Sequence, residues 1–349
     1  MFSTSDPILL VAFWTGAGAL LLTCLIGLQT ILLRMALLRR QKREHAFLAR
    51  WRPALMAYLV DTEAGLPAKL ARGDRLYFLK LWNHLQESLR GEASQTLNAA
   101  ARQLGCDVLA RDMLHRGNRA QRLLAILTLG HLRDAKAWDM LRVQASMADS
   151  IVSVNALRAL TQIDAGRAAR ELTPQLLARD DWPLARLASL LLETQDSFAA
   201  ELLAAIPGAD DASRVRVLRL IEALHLMLPD ALVDTLFTAG QPVELTIAAL
   251  RISPTPALLA HARGLSAHPD WRVRLQTAKV LGAAGNRGDV ILLRTLLSDA
   301  EWWVRYRAAH ALTAMPFLGQ PELAALQLEL SDRYGAEMLA HVLAEKAQA

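Results

Sequence analysis

The chain is poor in the residues that build sheets. Aromatic side chains make up 5% of its 349 residues, and runs of Val, Ile and Thr are thin, whereas Leu, Ala and Arg are abundant. β-Branched and aromatic side chains fit the pleated surface of a strand, while Leu, Ala and Arg favour helix. The composition therefore predicts an all-α protein. Cysteine is scarce as well, with Cys24 in an apolar run and Cys106 far from it. Two such residues provide neither a disulfide framework nor a zinc-ligand spacing, and both fit a reducing cytosol and a membrane interior. The short catalytic motifs are missing: no Gly-rich phosphate loop, no Gly-x-Ser-x-Gly elbow, and no two histidines four apart on a helix. No cofactor or metal is expected.

One scarcity is local. Between Ile8 and Leu33 no residue is charged, and Gln29 is the only amide. About 20 apolar residues cross a bilayer core, so residues 8–33 are expected to form a transmembrane helix in contact with lipid. Asp6 precedes this run, and Arg34, Arg39, Arg40, Lys42 and Arg43 follow it. That order is the reverse of a cleaved secretory signal. Basic residues gather on the cytoplasmic side, which predicts a single pass, N-terminus outside and the rest inside. Residues 1–33 are read as the anchor and 34–60 as a basic juxtamembrane segment. Phe47, Trp51, Leu55, Tyr58 and Leu59 share one helical face, with a break expected near Pro53. That face fits either a helix lying on the membrane or a cap closing a repeat array.

The net charge of +5 sits in the same region. Residues 1–60 hold seven basic and two acidic residues, which leaves 32 of each from totals of 39 and 34. Nonspecific affinity for nucleic acid comes mainly from neutralising phosphates, so the balanced remainder disfavours that partner.

What the chain does contain is repetition. Asp270-Trp271-Arg272-Val273-Arg274, followed by Ala278 and Leu281-Gly282, recurs 31 residues later as Glu301-Trp302-Trp303-Val304-Arg305 followed by Ala309 and Leu312. Equivalent marks fall at Asn118, Asp149, Asp181, Asp210, Gly240, Asp270 and Glu301. After each mark a helix is expected, capped by the marked residue and burying the seventh, eighth, tenth and eleventh residues on from the mark: Ala125, Ile126, Thr128 and Leu129 in the first copy, Ala156, Leu157, Ala159 and Leu160 in the second, Thr277, Ala278, Val280 and Leu281 in the sixth. A polar turn and a second helix complete a hairpin that must stack on its neighbours to bury its apolar stripe. The array is placed at 118–330, with a helical cap or degenerate repeats at 61–117 and a closing helix at 331–349.

The Asp-x-x-Val-Arg-x-x-x-Ala-x-x-Leu-Gly pattern resembles HEAT repeats, in particular the short bacterial kind named after phycobilisome lyases. The resemblance implies an α-solenoid of about seven helical hairpins whose Val-Arg helices line the concave face and, together with the anchor, a scaffold expected to bind a protein partner at the cytoplasmic face of a bacterial inner membrane. The alternative within the same family is a lyase-like or metal-dependent modifying enzyme; the iron-binding type uses His-Glu pairs, and none of the nine histidines here is followed by Glu. The pattern departs at Gly240, where the capping acid is missing, and at Ser153 and Ala185, which replace the arginine. Asp270 with Arg274, Glu301 with Arg305 and Asp210 with Arg214 are expected to cap and pair along the stack. Trp182, Trp271 and Trp302 are expected to pack over the joints. Six and nine positions after the marks stand outward residues, several of them basic: Asn155 and Arg158, Arg216 and Arg219, Gln276 and Lys279, Arg307 and His310. They form the candidate partner surface, suited to an acidic loop or helix of a membrane enzyme or signalling protein.

Overall fold

The computed structural model describes residues 7–62, 65, 66, 70–238 and 240–348. Asp6, used above for orientation, lies outside them. All regular structure among the described residues is helical, with no strand. The chain divides into two units, Met1–Asp134 and Ala135–Ala349.

The first unit is built on a helix of 54 residues, α1 (Pro7–Val60). The break expected near Pro53 does not occur. Proline removes one backbone donor, and the carbonyl it leaves unpaired, on Ala49, lies on the exposed side of the helix where water can satisfy it. Along its first half α1 exposes nearly every described side chain, Leu20 by 71% and Leu21 by 69%. Further along, Phe47, Trp51 and Leu55 are buried against α2 (Arg75–Ser88) and α3 (Glu92–Gln103). Phe47 stacks on Trp51, whose ring meets Phe78 edge-on at 5.3 Å. This face is therefore covered by protein and does not lie on a bilayer. Within the same unit α4 (Cys106–Arg116) packs on α5 (Arg119–Leu132). The Trp82 indole N–H donates to the Leu97 carbonyl at 2.9 Å, and the Asn83 amide donates to Thr128 Oγ1 at 2.8 Å. These bonds tie α2 to α3 and α5.

The second unit consists of short helices: α6 (Trp138–Ala145), α7 (Ser150–Ile163), α8 (Ala165–Ala178), α9 (Leu184–Leu191), α10 (Gln195–Ala205), α11 (Asp211–Ala223) and α12 (Asp230–Leu236). They continue with α13 (Val243–Leu250), α14 (Pro256–Gly264), α15 (Trp271–Ala284), α16 (Val290–Leu297), α17 (Trp302–Ala314), α18 (Gln320–Glu329) and α19 (Arg333–Gln348). The helices that follow the marks, α7, α9, α11, α13, α15 and α17, stand in a row, each packed on the next, and α19 extends the row past α17. The helices between them pack onto the row, as α14 does on α15 and α16 on α17. The residues expected to be buried are buried after Asn118, Asp149, Asp210, Asp270 and Glu301, among them Ala125, Ile126, Ala156, Leu157, Ala278 and Leu281, whereas after Asp181 Leu191 is buried but Ser189 and Leu192 are exposed, and after Gly240 Arg251 is exposed. Small residues set the spacing. A Cβ on Gly282 would stand 2.5 Å from that of Ala311, so α15 and α17 approach closely because that side chain is absent.

Candidate functional site

The marks perform their expected task in most copies. Asn118, Asp149, Asp210 and Asp270 each precede a helix and accept from its first free backbone N–H groups, Asp210 from Ser213 at 2.7 Å and Asp270 from Arg272 at 2.8 Å. Three do not. The caps of α9 and α13 are Pro183 and Pro242, two residues beyond Asp181 and Gly240, because each proline presets the extended turn that starts the helix. Glu301 stands at the cap of α17 without a side-chain bond. The shorter Asp299, two residues earlier, accepts from the Glu301 backbone N–H at 2.9 Å. An eighth mark escaped the sequence reading: Asp332, 31 residues after Glu301, accepts from the Gly335 backbone N–H at 2.8 Å as α19 begins.

The motif arginines do not pair with the acid of their own mark in the way expected. Each reaches back to the carbonyls of the turn before its helix. Arg274 donates to the His268 and Pro269 carbonyls at 2.8 and 3.0 Å, Arg305 to those of Asp299 and Ala300 at 2.6 and 3.0 Å, and Arg214 to those of Ile206 and Pro207 at 3.1 and 3.2 Å. Arg274 also clasps the Asp299 carboxylate, Nε and Nη2 at 2.6 and 2.8 Å, which joins two copies along the row. Asp270 is held instead by Arg272, whose guanidinium lowers the pKa of its carboxyl.

Two of the copies that lack this arginine are repaired by arginines from further along the chain, whereas the Gly240 copy carries Glu244 at that position. Where Ser153 stands, Arg179 from the end of α8 donates to the Ala145 and Met147 carbonyls at 3.2 and 2.6 Å, and the fully buried Trp182 donates to the Ser153 hydroxyl at 2.9 Å. Where Ala185 stands, Arg216 of α11 donates to the Leu176 and Trp182 carbonyls at 2.6 and 2.8 Å. Arg216 is thus a clamp between repeats. Its Nε and Nη2 donors are committed to these carbonyls, which ties it into the joint rather than the surface offered to a partner.

The other outward residues separate in the same way. Gln276 is half-buried, with its amide oxygen shut off from solvent. Arg219 and Lys279 are exposed, and Arg158 and Arg307 are half-exposed; none of these four side chains makes a hydrogen bond or ion pair among the described residues. Three predicted residues come together. Lys279, Arg307 and His310 line one groove of about 360 Å³ across α15, α17 and α19, floored by Gly282, Ala283, Ala311 and Ala314 and joined by Lys346. Every polar side chain on its wall is basic. Arg158 and Arg219 lie outside it. Beside the groove, Glu345 of α19 accepts from the Tyr306 hydroxyl at 3.2 Å and lies 3.5 Å from His310 Nε2 and 3.2 Å from His341 Nε2. Lys346 donates to the Thr313 carbonyl at 2.6 Å.

Of the tryptophans, Trp182 is buried at its joint and Trp271 packs against the terminal core. Trp302 differs from the expectation. It is 43% exposed and stacks on Tyr306 at 5.0 Å, while the adjacent Trp303 is 55% exposed. The arrangement as a whole can hold an anion beside an aromatic surface. Sequence reasoning missed Glu345 and Lys346 because the row was taken to close before α19. The signal was the acid at the next 31-residue step, which also makes His341 the counterpart of His310. No curated protein matches the chain. Residues 255–337, which hold α14 to α18 and the start of α19, match the family model for HEAT repeats, and this match together with the all-helical fold supports a HEAT-repeat protein.

Proposed function

We propose that the chain is a membrane-anchored HEAT-type scaffold that holds a partner protein at the cytoplasmic face of a bacterial inner membrane. One observation carries the anchor: the uncharged first half of α1 is left uncovered by the described residues and ends at the cluster Arg34, Arg39, Arg40, Lys42 and Arg43. The helices of the second unit stack as an α-solenoid of the phycobilisome-lyase-like type, with the mark helices toward the partner. HEAT repeats commonly serve as protein-interaction scaffolds without catalysis of their own, and the free cations on α15 and α17 supply a surface for that purpose.

The test is photo-crosslinking in intact membranes, with a benzophenone amino acid at Ala283 or Ala314, combined with alkaline extraction. The proposal expects the chain to stay in the pellet and to form a discrete adduct with one protein. A chain released by alkali, or one that forms no adduct from either position, would overturn it.

A further inference from the structure

We infer that the groove between α15, α17 and α19 is a docking site for an acidic, aromatic-bearing peptide segment of a partner protein. The inference rests on the scaffold reading and specifies its ligand. Charge complementarity commits the site to such an occupant. Lys279 and Arg307 have no counter-charge among the described residues, and the groove wall carries His310 and Lys346 but no acid. The nearest carboxylate, Glu345, is occupied by Tyr306, His310 and His341. It orients those groups and leaves Lys279 and Arg307 to a guest. The floor is made of Gly and Ala, which admits a guest main chain close to the helices. A free phosphate would use the cations but not the adjoining aromatics, and a flat bilayer, although its interface favours Trp and Tyr, does not enter a groove between helices. Trp302, Trp303 and Tyr306 extend along α17 away from His310 as a ladder, with ring centroids 5.0 Å apart for Trp302 and Tyr306 and 4.5 Å for Tyr306 and His310. Exposed tryptophan beside arginine is the composition of energetic centres in protein interfaces. The guest that satisfies both halves carries two or more carboxylates, which meet Lys279 and Arg307, next to an aromatic or large apolar residue that packs on the two tryptophans.

The test uses the full chain in nanodiscs of neutral phosphatidylcholine, against which a random dodecapeptide library is panned. The expected result is enrichment of peptides with at least two Asp or Glu near an aromatic residue. Their affinity, read by fluorescence anisotropy, is expected to fall by about tenfold or more in the Lys279→Glu, Arg307→Glu double variant and to stay unchanged in Arg158→Glu. Trp302→Ala is expected to weaken the same peptides while leaving their salt dependence intact. Thermal unfolding of each variant separates loss of binding from loss of fold, and the milder Lys279→Gln, Arg307→Gln pair replaces any variant that fails to fold. Selected peptides without acidic enrichment, or affinities indifferent to the double variant, overturn the inference. So does a groove-dependent interaction seen only with phosphatidylserine vesicles. Repeating the membrane crosslinking with the double variant keeps the two readings apart. An adduct that persists there refutes the groove alone, whereas no adduct even in the wild-type chain refutes the scaffold.

Discussion

At the residue scale, the arginines of this protein divide by what their donors already hold. Arg216 and Arg219 lie three positions apart on α11 and look equivalent in sequence, yet the first closes the turn before α9 and the second makes no side-chain bond among the described residues. Removing Arg216 leaves two carbonyls without their donor, so Arg216→Ala is expected to lower the unfolding free energy by about 1–3 kcal/mol. Arg219→Ala is expected to change it by less than about 0.5 kcal/mol. Chemical denaturation of both variants checks the pair, and equal effects would refute the clamp. A second prediction concerns Asp289, which is buried, accepts from Arg263 Nε at 2.7 Å and caps the turn that begins at Asn286. The Arg263 guanidinium leads the causes that hold its pKa below the ordinary carboxylate value. A depressed folded-state pKa gives stability that is fully present above the unfolded value near 4 and is lost as pH falls through the folded value. Asp289→Asn is therefore expected to flatten the decline of melting temperature below about pH 4 and to lower it at neutral pH.

At the scale of elements, the spacing between neighbouring mark helices is set by small side chains. Gly282→Ala puts a methyl into Ala311, an overpacking worth about 1–3 kcal/mol that exceeds the gain of up to about 1 kcal/mol from better helix propensity. The variant is expected to melt lower and, by pushing α15 from α17, to weaken anything held by Lys279 and Arg307 together. A crystal structure with the helices unmoved would contradict this. The mark helices were legible in the sequence because capping and burial are local and periodic: Asp270 and Asp210 could be placed by counting, and so could the buried sets after Asn118, Asp149 and Asp270. The clamps were not legible. Arg179 and Arg216 act on turns more than 30 residues away in sequence, and no period marks them, since they appear where the pattern fails at Ser153 and Ala185. Pro53 misled for the opposite reason. Its local signal is a break, but the packing of Trp51 and Leu55 on α2 and α3 holds the helix through it.

At the scale of the whole molecule, the first half of α1 and the face from Phe47 to Leu55 divide one helix between two environments. Trp51 is 3% exposed, and Trp51→Ala is expected to cost the first unit about 3–5 kcal/mol. Its circular dichroism melt should fall while membrane retention after alkaline extraction is unchanged. Loss of retention would mean that the two halves do not act separately. The candidate groove was partly legible at this scale. Lys279, Arg307 and His310 were found because they repeat, while Lys346 was missed because its helix was taken for an end.

An unbroken helix is also a ruler with a phase. From Leu33 to Phe47, where the first unit begins to cover α1, is 14 residues, or about 20 Å at 1.5 Å per residue. On the proposed topology that is the height of the first unit above the bilayer core, fixed by geometry rather than sampled as along a flexible tether. Each inserted residue would raise the unit by about 1.5 Å and turn it by about 100°. Two added residues after Arg43 would face it nearly backwards, whereas seven, close to two full turns, would restore its heading about 10 Å higher.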